Sequence, residues 1–434
     1  EIMELGPTSD GLRSAGPSSR PSTINDQQST TRSGRNAAAL FFSWHGWLGV
    51  NFGLLLFVVT LAGVFAVLSR ELDSLVTPGL RLEASGGPMA WSDVQDFVRL
   101  AEPEAVIRSI EAPSGPRDAA VVVIDRPDQR SVRLYADPET GEILGESSGF
   151  TLQVFFRAFH TKLFFPDSPV HGTYVVALLA FVLAFAVLTG LLFYKHWWRH
   201  LFRLRVRLGG KVLVSDLHRL LGSWTLVFSA VMAVTGMWFF FKWMPFLHRS
   251  WEVRGPVVSG AATGEALTAS DFVERAAQAL PGLEPRTFRP SLRGDEAVYV
   301  DGLTGSPVLG ASASHVFLDP ADGRVLQSQG PDNIPALRRW VAAADEVHFG
   351  RFGAWENLAL KLAWSALGLC LPAMVLTGAL ISLKRSRASG IPGPAVGLVI
   401  TTAILGYGAW CAGGEISAYG RVVDASGSEA SVAQ

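Results

Sequence analysis

Four near-continuous apolar runs of about 20 residues, near 47–68, 173–194, 221–241 and 358–382, constrain this chain more than any other feature. As helices, each is long enough to cross the ~30 Å hydrocarbon layer of a bilayer. The expected fold is therefore an α-helical membrane protein built on a four-helix transmembrane bundle. A fifth run at about 394–412, after the break IPGP, is a further candidate span whose status decides where the C-terminus lies. With 49% hydrophobic and 17% charged residues, the chain is more apolar than a soluble protein of its length. A formal net charge of −1 gives no reason to expect a nucleic-acid partner. Cys370 and Cys411 both lie in apolar stretches, so neither a zinc knot nor a disulfide framework is indicated.

Charge sets the expected orientation. The segment KHWWRHLFRLRVRLGGK between the second and third runs carries Lys195, Arg199, Arg203, Arg205, Arg207 and Lys211 and no acid, which marks a cytoplasmic loop. Lys384, Arg385 and Arg387 after the fourth run agree, as do Arg32 and Arg35 before the first. Segments 70–158 and 245–345 then face outward. Each opens with a helix-like stretch, WSDVQDFVRLA at 91–101 and TASDFVERAAQAL at 268–280, with Ser, Thr or Asp as expected N-cap. Strand-like runs follow at 121–126, 132–144, 297–302 and 315–327, with Asp-Pro-x-x-Gly turns at Asp137 and Asp319. Two small α+β external domains are the simplest reading.

The resulting division is a disordered cytoplasmic N-terminus at 1–38, a first span at 39–69 and a first external domain at 70–158. A second span with a preceding surface helix follows at 159–196, then a basic loop at 197–215 and a third span at 216–244. The second external domain occupies 245–345, the fourth span 346–386, the candidate fifth 394–412, and a polar tail 413–434. The first run is too long for a signal-peptide core and is read as a retained span.

The chain is a tandem duplication. WHGWLG, with His45, precedes the first span as LHRLLG, with His218, precedes the third, and Gly63 and Gly236 each follow eighteen residues after the histidine. His160 is followed thirty residues later by Gly190 in VLTG, and His348 thirty residues later by Gly378 in the same VLTG. Each half contains two spans, so the repeats have parallel topology and equivalent residues should meet at equal depth. His45 is expected beside His218 near the cytoplasmic face and His160 beside His348 near the outer face. Opposed imidazoles in a helical core suit the axial positions of a haem iron.

Other histidines compete for these roles. His160 lies about ten residues before the second run, which on a straight helix puts it ~15 Å beyond the hydrocarbon. Two prolines in FHTKLFFPDSPVHG allow a bend that brings it back. His171, at the start of the span, is an alternate, although its repeat equivalent is Ala359. His196 is an alternate for the cytoplasmic pair, and with His200 it lies in an Arg-rich aromatic run suited to an interface. His248 and His315 are read as incidental.

WHGWLG, FHTKLFF, LHRLLG and VHFGRFG, each ahead of an apolar span, with two helix-plus-sheet domains between spans, resemble the PepSY-associated transmembrane proteins over about 40–386. The resemblance implies PepSY-like domains in the periplasm and a bacterial inner-membrane reductase carrying haem b, two haems being expected. The implied ligands are His45, His160, His218 and His348, and the implied acceptor is a ferric siderophore or other periplasmic ferric complex. No catalytic residue is assigned. Electrons would come from a separate cytoplasmic reductase or a quinol, and lipid is the remaining partner. Competing readings are a membrane-anchored module that binds envelope proteins or peptides, and a transporter with Glu356 and Lys361 as its nearest intramembrane charges.

Overall fold

The computed structural model describes residues 39–413 except 78, 83–86, 129–130, 149–150, 166–168, 195, 245–252, 259–266, 293–294, 307, 352–357 and 390–396. The N-terminal segment 1–38, the tail from 414, His248, Trp355 and Glu356 lie outside the described residues. So do the side chains of His171, His200, Arg385 and Arg387.

The first apolar run forms α1 (Ala39–Asn51) and α2 (Gly53–Val67), bent by 65°. The third forms α7 (Gly210–Trp224) and α8 (Leu226–Lys242), bent by 66°. Apolar length alone does not disclose either bend. Both breaks fall seven residues after a repeat histidine, at Phe52 and Thr225. A local cause is visible at each: the Asn51 amide donates to Trp47 O at 2.9 Å, and the Thr225 hydroxyl to Leu221 O at 2.8 Å. Side chains that bond back to the i−4 carbonyl loosen the ladder and bend helices.

The second and fourth runs form the unbroken helices α6 (Pro169–Phe193) and α11 (Leu358–Ser389). Among the described residues, two helices are long and apolar enough to cross a bilayer, or up to four if each bent pair is one span. Their outer surfaces leave Leu178, Leu188, Val227, Leu369 and Leu376 about half or more exposed, an apolar surface that water would not tolerate. Within the repeat pattern α2 packs on α11 and α8 on α6, so the first span of each repeat lies against the second span of the other.

The fifth run forms α12 (Gly397–Gly413), shorter than the crossing helices. Its glycines have a packing reason. A Cβ at Gly397 would stand 2.4 Å from Asn51 backbone, and one at Gly408 2.5 Å from Leu163 O. The helix therefore runs in close backbone contact from the α1–α2 bend to the region where the second span begins.

The segments between spans hold α3 (Ser69–Val76), α4 (Trp91–Ala101), β1 (Val106–Glu111), β2 (Ala120–Asp125), β3 (Ser131–Ala136), β4 (Ile143–Ser148) and α5 (Leu152–Lys162) in the first half. The second half holds α9 (Ala269–Ala279), β5 (Glu284–Arg289), β6 (Val298–Leu303), β7 (His315–Leu318), β8 (Val325–Gln329) and α10 (Ala336–Phe349). The strands do not form two sheets. They join in one eight-stranded sheet of order β4-β3-β2-β1-β5-β6-β7-β8, a palindrome in repeat terms. At its centre Ile110 pairs with Phe288, its own repeat equivalent, and both are buried. Helices α4 and α9 share one core with the strands, including Trp91, Val94, Val98, Phe272 and Val273.

The axis is marked again where Ser92 and Ser270 exchange bonds. Each hydroxyl accepts from the other residue's backbone N–H, at 3.2 and 3.0 Å, and the hydroxyls lie 2.7 Å apart. The expected Thr268 cap is present, with Asp271 completing a capping box. Helix α4 departs from expectation: no side chain caps it, because the helix starts at Trp91 with Ala90 at the cap, and Ser92 lies inside the first turn and bonds across the axis. The turns at Asp137 and Asp319 both close on a left-handed glycine, Gly141 at φ 79° and Gly323 at φ 70°.

Candidate functional site

Each of the four repeat histidines is positioned by a short stretch of local structure. Helix α5 begins at Thr151, whose hydroxyl accepts from Val154 N, and the buried Asp73 carboxylate accepts from Leu152 N at 3.0 Å. It ends in two left-handed non-glycine residues, Leu163 (φ 51°) and Phe164 (φ 59°). Both side chains are almost fully buried, and that packing holds a conformation such residues rarely adopt. The reversal lays His160 against α2, where its Nδ1 donates to Val59 O at 2.9 Å. A Cβ on Gly63 would meet the His160 ring at 2.8 Å, so only glycine admits the imidazole there.

His348 arrives by the equivalent route. Helix α10 ends at Gly350, φ 66°, where a Cβ would strike the Trp364 ring. Its Nδ1 lies 2.8 Å from Thr235 Oγ1 on α8. The His160 and His348 rings then face each other with centroids 6.3 Å apart and planes inclined by 34°.

At the other end, His45 on α1 places Nδ1 2.7 Å from Thr189 Oγ1. His218 on α7 places Nδ1 3.0 Å from Met374 O and 3.1 Å from Thr377 Oγ1. His218 is near enough to His45 to be felt electrostatically, but no ring contact joins them. Both pairs lie along the same helices. Residues Thr173 to Leu183 of α6 and Trp364 to Leu371 of α11 belong to the His160–His348 level, and Thr189 and Thr377 to the other.

One chemical feature is common to all four. The Val59 and Met374 carbonyls can only accept, so Nδ1 of His160 and His218 carries the proton. The three threonine hydroxyls spend their single hydrogen on helix carbonyls: Thr189 on Phe185 O, Thr235 on Val231 O, and Thr377 on Ala373 and Met374 O. They accept from the imidazoles, and Nδ1–H is the donor throughout. Every Nε2 is left with a free lone pair, the state in which imidazole binds a metal.

The first pair lines a cavity of about 530 Å³ between α2, α6, α8 and α11. Its walls are mainly apolar, including Val59, Ala180, Met232, Phe239 and Leu371, and glycines 63, 236 and 368 widen it. Lys162 and Lys242 also line it, Lys242 paired with Asp345 at 2.5 Å. Ser365 lines it too, with a buried hydroxyl that has no partner.

The other sequence candidates are placed elsewhere. His196 is exposed on the loop after α6, its ring against Trp198, and does not join His45 or His218. His315 is fully buried in β7 beside Tyr299 and Phe317. The buried Lys361 pairs with the partly exposed Glu71 at 2.6 Å, tying α11 to α3. Thr189, Thr235 and Thr377 were not singled out from sequence. The repeated VLTG carried the signal for two of them, since Thr189 and Thr377 stand directly before its glycine.

An apolar chamber between helices long enough to cross a bilayer, lined by two imidazoles from the two repeats, is the candidate site of this membrane protein. The family model for the PepSY-associated TM region matches residues 42–385, and the chain belongs to this family. A search of curated proteins returned no match.

Proposed function

We propose that the protein is a haem-carrying transmembrane electron-transfer protein that reduces a periplasmic ferric complex, with a ferric siderophore as the leading substrate class. One observation carries this reading: His160 and His348 face each other at 6.3 Å across the cavity, each with Nδ1 anchored and Nε2 free. Two imidazoles on opposite sides of one metal, with metal–nitrogen bonds of ~2 Å, put their ring centroids ~6 Å apart. Among the described residues no group of three His, Cys, Asp or Glu gathers to hold a bare ion. A pair of imidazoles alone suits a metal that brings its own equatorial ligands, as haem b does.

The cavity fits that group on three counts. Its volume lies in the ~300–1,000 Å³ range of cofactor sites. Its apolar walls suit the macrocycle, and Lys162 and Lys242 suit anionic substituents. The Ser365 hydroxyl, which has no hydrogen-bond partner in the protein, borders the space the group would fill. A haem held there supplies one-electron Fe(III)/Fe(II) chemistry.

The chain's own contribution is positional. Val59 O and Thr235 Oγ1 fix ring orientation and raise imidazole basicity, and apolar walls exclude water. His45 and His218 offer the same donor chemistry at a second level, ~15 Å further along α6 and α11 by helix rise. A second haem at that level would divide a hydrocarbon layer too wide for one efficient transfer. The basic 195–211 loop supports an inner-membrane orientation with the sheet in the periplasm. An electron moving outward then gains about 2.3 kcal/mol per 100 mV of membrane potential. A cytoplasmic reductase or a quinol is the corresponding donor.

The test is the visible spectrum of protein produced with ample haem. Soret and α bands after dithionite, together with pyridine haemochrome quantitation near two per chain, are expected. Reduced protein should be reoxidised by a ferric siderophore. A spectrum without those bands would overturn the proposal.

A further inference from the structure

A second pocket, of about 150 Å³, lies where the end of α6 meets α7 and the loop between them, lined by Tyr194, Arg203, Arg205, Asp216, Arg219 and Leu220. We propose that it binds the phosphate of an anionic phospholipid. The inference rests on the protein being a membrane protein and not on haem.

The pocket is built before any ligand arrives. Asp216 is 4% exposed and organises the arginines around it. Arg205 donates to Oδ2 from Nε at 2.8 Å and from its backbone N–H at 3.1 Å and to Oδ1 from Nη2 at 2.9 Å, and Arg219 Nη2 donates to the same Oδ1. The Trp224 indole donates to Leu201 O at 2.8 Å, and Phe202 packs on Trp224, so the loop is held down on α7.

The charge is unbalanced. Three arginines face one aspartate, a formal excess of +2, and among the described residues no carboxylate pairs with Arg203. Each guanidinium carries five N–H donors. Arg205 gives two side-chain N–H groups to Asp216, and Arg219 gives one to Asp216 and one to Ser215 O. The three arginines that carry the unused donors line one space of about 150 Å³, large enough for a phosphate, the acceptor that guanidinium forks match best.

The surroundings favour a lipid over a free anion. Phe202 is 85% exposed, Val206 and Leu208 61% each, and Trp198 53%. Large apolar side chains alternating with Arg199, Arg203 and Arg207 describe a segment that lies in the headgroup layer, with apolar groups in acyl chains and cations at phosphate level. Basic pockets between spans are where anionic headgroups bind.

The experiment uses the full chain, mildly delipidated in detergent, then offered phosphatidylglycerol or phosphatidylcholine of identical acyl composition and read by native mass spectrometry. Phosphatidylglycerol should be retained in preference. Arg203→Gln removes an exposed cation that makes no internal pair, and it should lower phosphatidylglycerol retention about 5-fold. It should leave phosphatidylcholine unchanged, and Arg203→Lys should restore part of the loss. Equal retention of the two lipids, or an indifferent R203Q variant, overturns the proposal. Full displacement by millimolar inorganic phosphate would identify a small-anion site and also overturn it. So would an R203Q variant that keeps its lipid but loses affinity for an acidic carrier protein.

Discussion

The two histidine pairs have the same donor chemistry and different geometry. In both, every Nδ1–H is spent on a carbonyl or a threonine oxygen and every Nε2 is free. His160 and His348 come within ring contact across a cavity, whereas His45 and His218 do not touch. The difference follows from what holds each end. Above the first pair the repeat axis is pinned by the β1–β5 pairing, the Ser92–Ser270 exchange and a shared core, so equivalent residues are locked at a set distance. The second pair rides on α1 and α7, which leave their spans at bends of 65° and 66°. Donor chemistry can thus be copied by duplication, while spacing depends on whether something rigid spans the axis.

Removing a ligand should have the largest effect. His160→Ala or His348→Ala should abolish low-spin haem at the sheet end, cutting the haemochrome yield by at least one equivalent. If either variant keeps its full spectrum, the ring contact is ordinary packing.

Loss of an Nδ1 partner comes next. Thr235→Val and Thr189→Val each remove the oxygen that accepts from one imidazole Nδ1–H and should weaken haem binding ~10–100-fold. Thr377→Val should cost less, because Met374 O still holds His218. Haem transfer to apomyoglobin would rank the three, and equal losses would contradict the proposed division of labour.

Glycine substitutions sharpen the contrast further. Gly63→Ala drives a methyl into the His160 ring and should destabilise the fold by ~1–3 kcal/mol, with a perturbed Soret band. Gly190→Ala meets nothing within 4 Å and should be silent in both readouts.

The smallest effect concerns the sheet that pins the axis. Burial depresses the His315 imidazole below its ordinary 6.5 and raises the Asp301 carboxyl above its ordinary 3.8. Below pH 6.5 the unfolded chain takes up a proton at His315 that the folded one refuses, so acid destabilises. Above pH 3.8 the folded chain retains a proton at Asp301 that the unfolded one releases, so alkali destabilises. Between those values the two slopes oppose. His315→Gln should leave stability falling as pH rises, and Asp301→Asn should leave it rising, each by a few °C in Tm.

Much of the architecture was legible in the chain. Apolar length located the spans, and the capping box at Thr268 and the turns at Asp137 and Asp319 formed where their residues stand. The duplication named the four histidines by spacing alone. The pair of strands that join the halves is not marked in the sequence. VIRSIE and EPRTFR are short, and three residues of the first and five of the second are polar or proline, so local pattern does not mark β1 and β5 as central. The Nδ1 partners are unmarked for a related reason, since two are backbone carbonyls, which every residue has.

By itself the sequence determined that this chain lives in lipid, that it is two copies of one unit, and which imidazoles are equivalent. Hydrophobic length, spacing and charge are one-dimensional properties. Only the tertiary structure decided that the two sheets become one, that two spans break after their histidines, and that one pair meets while the other stays apart. Those outcomes depend on packing between residues more than a hundred positions apart, where close contact and not local preference sets the geometry.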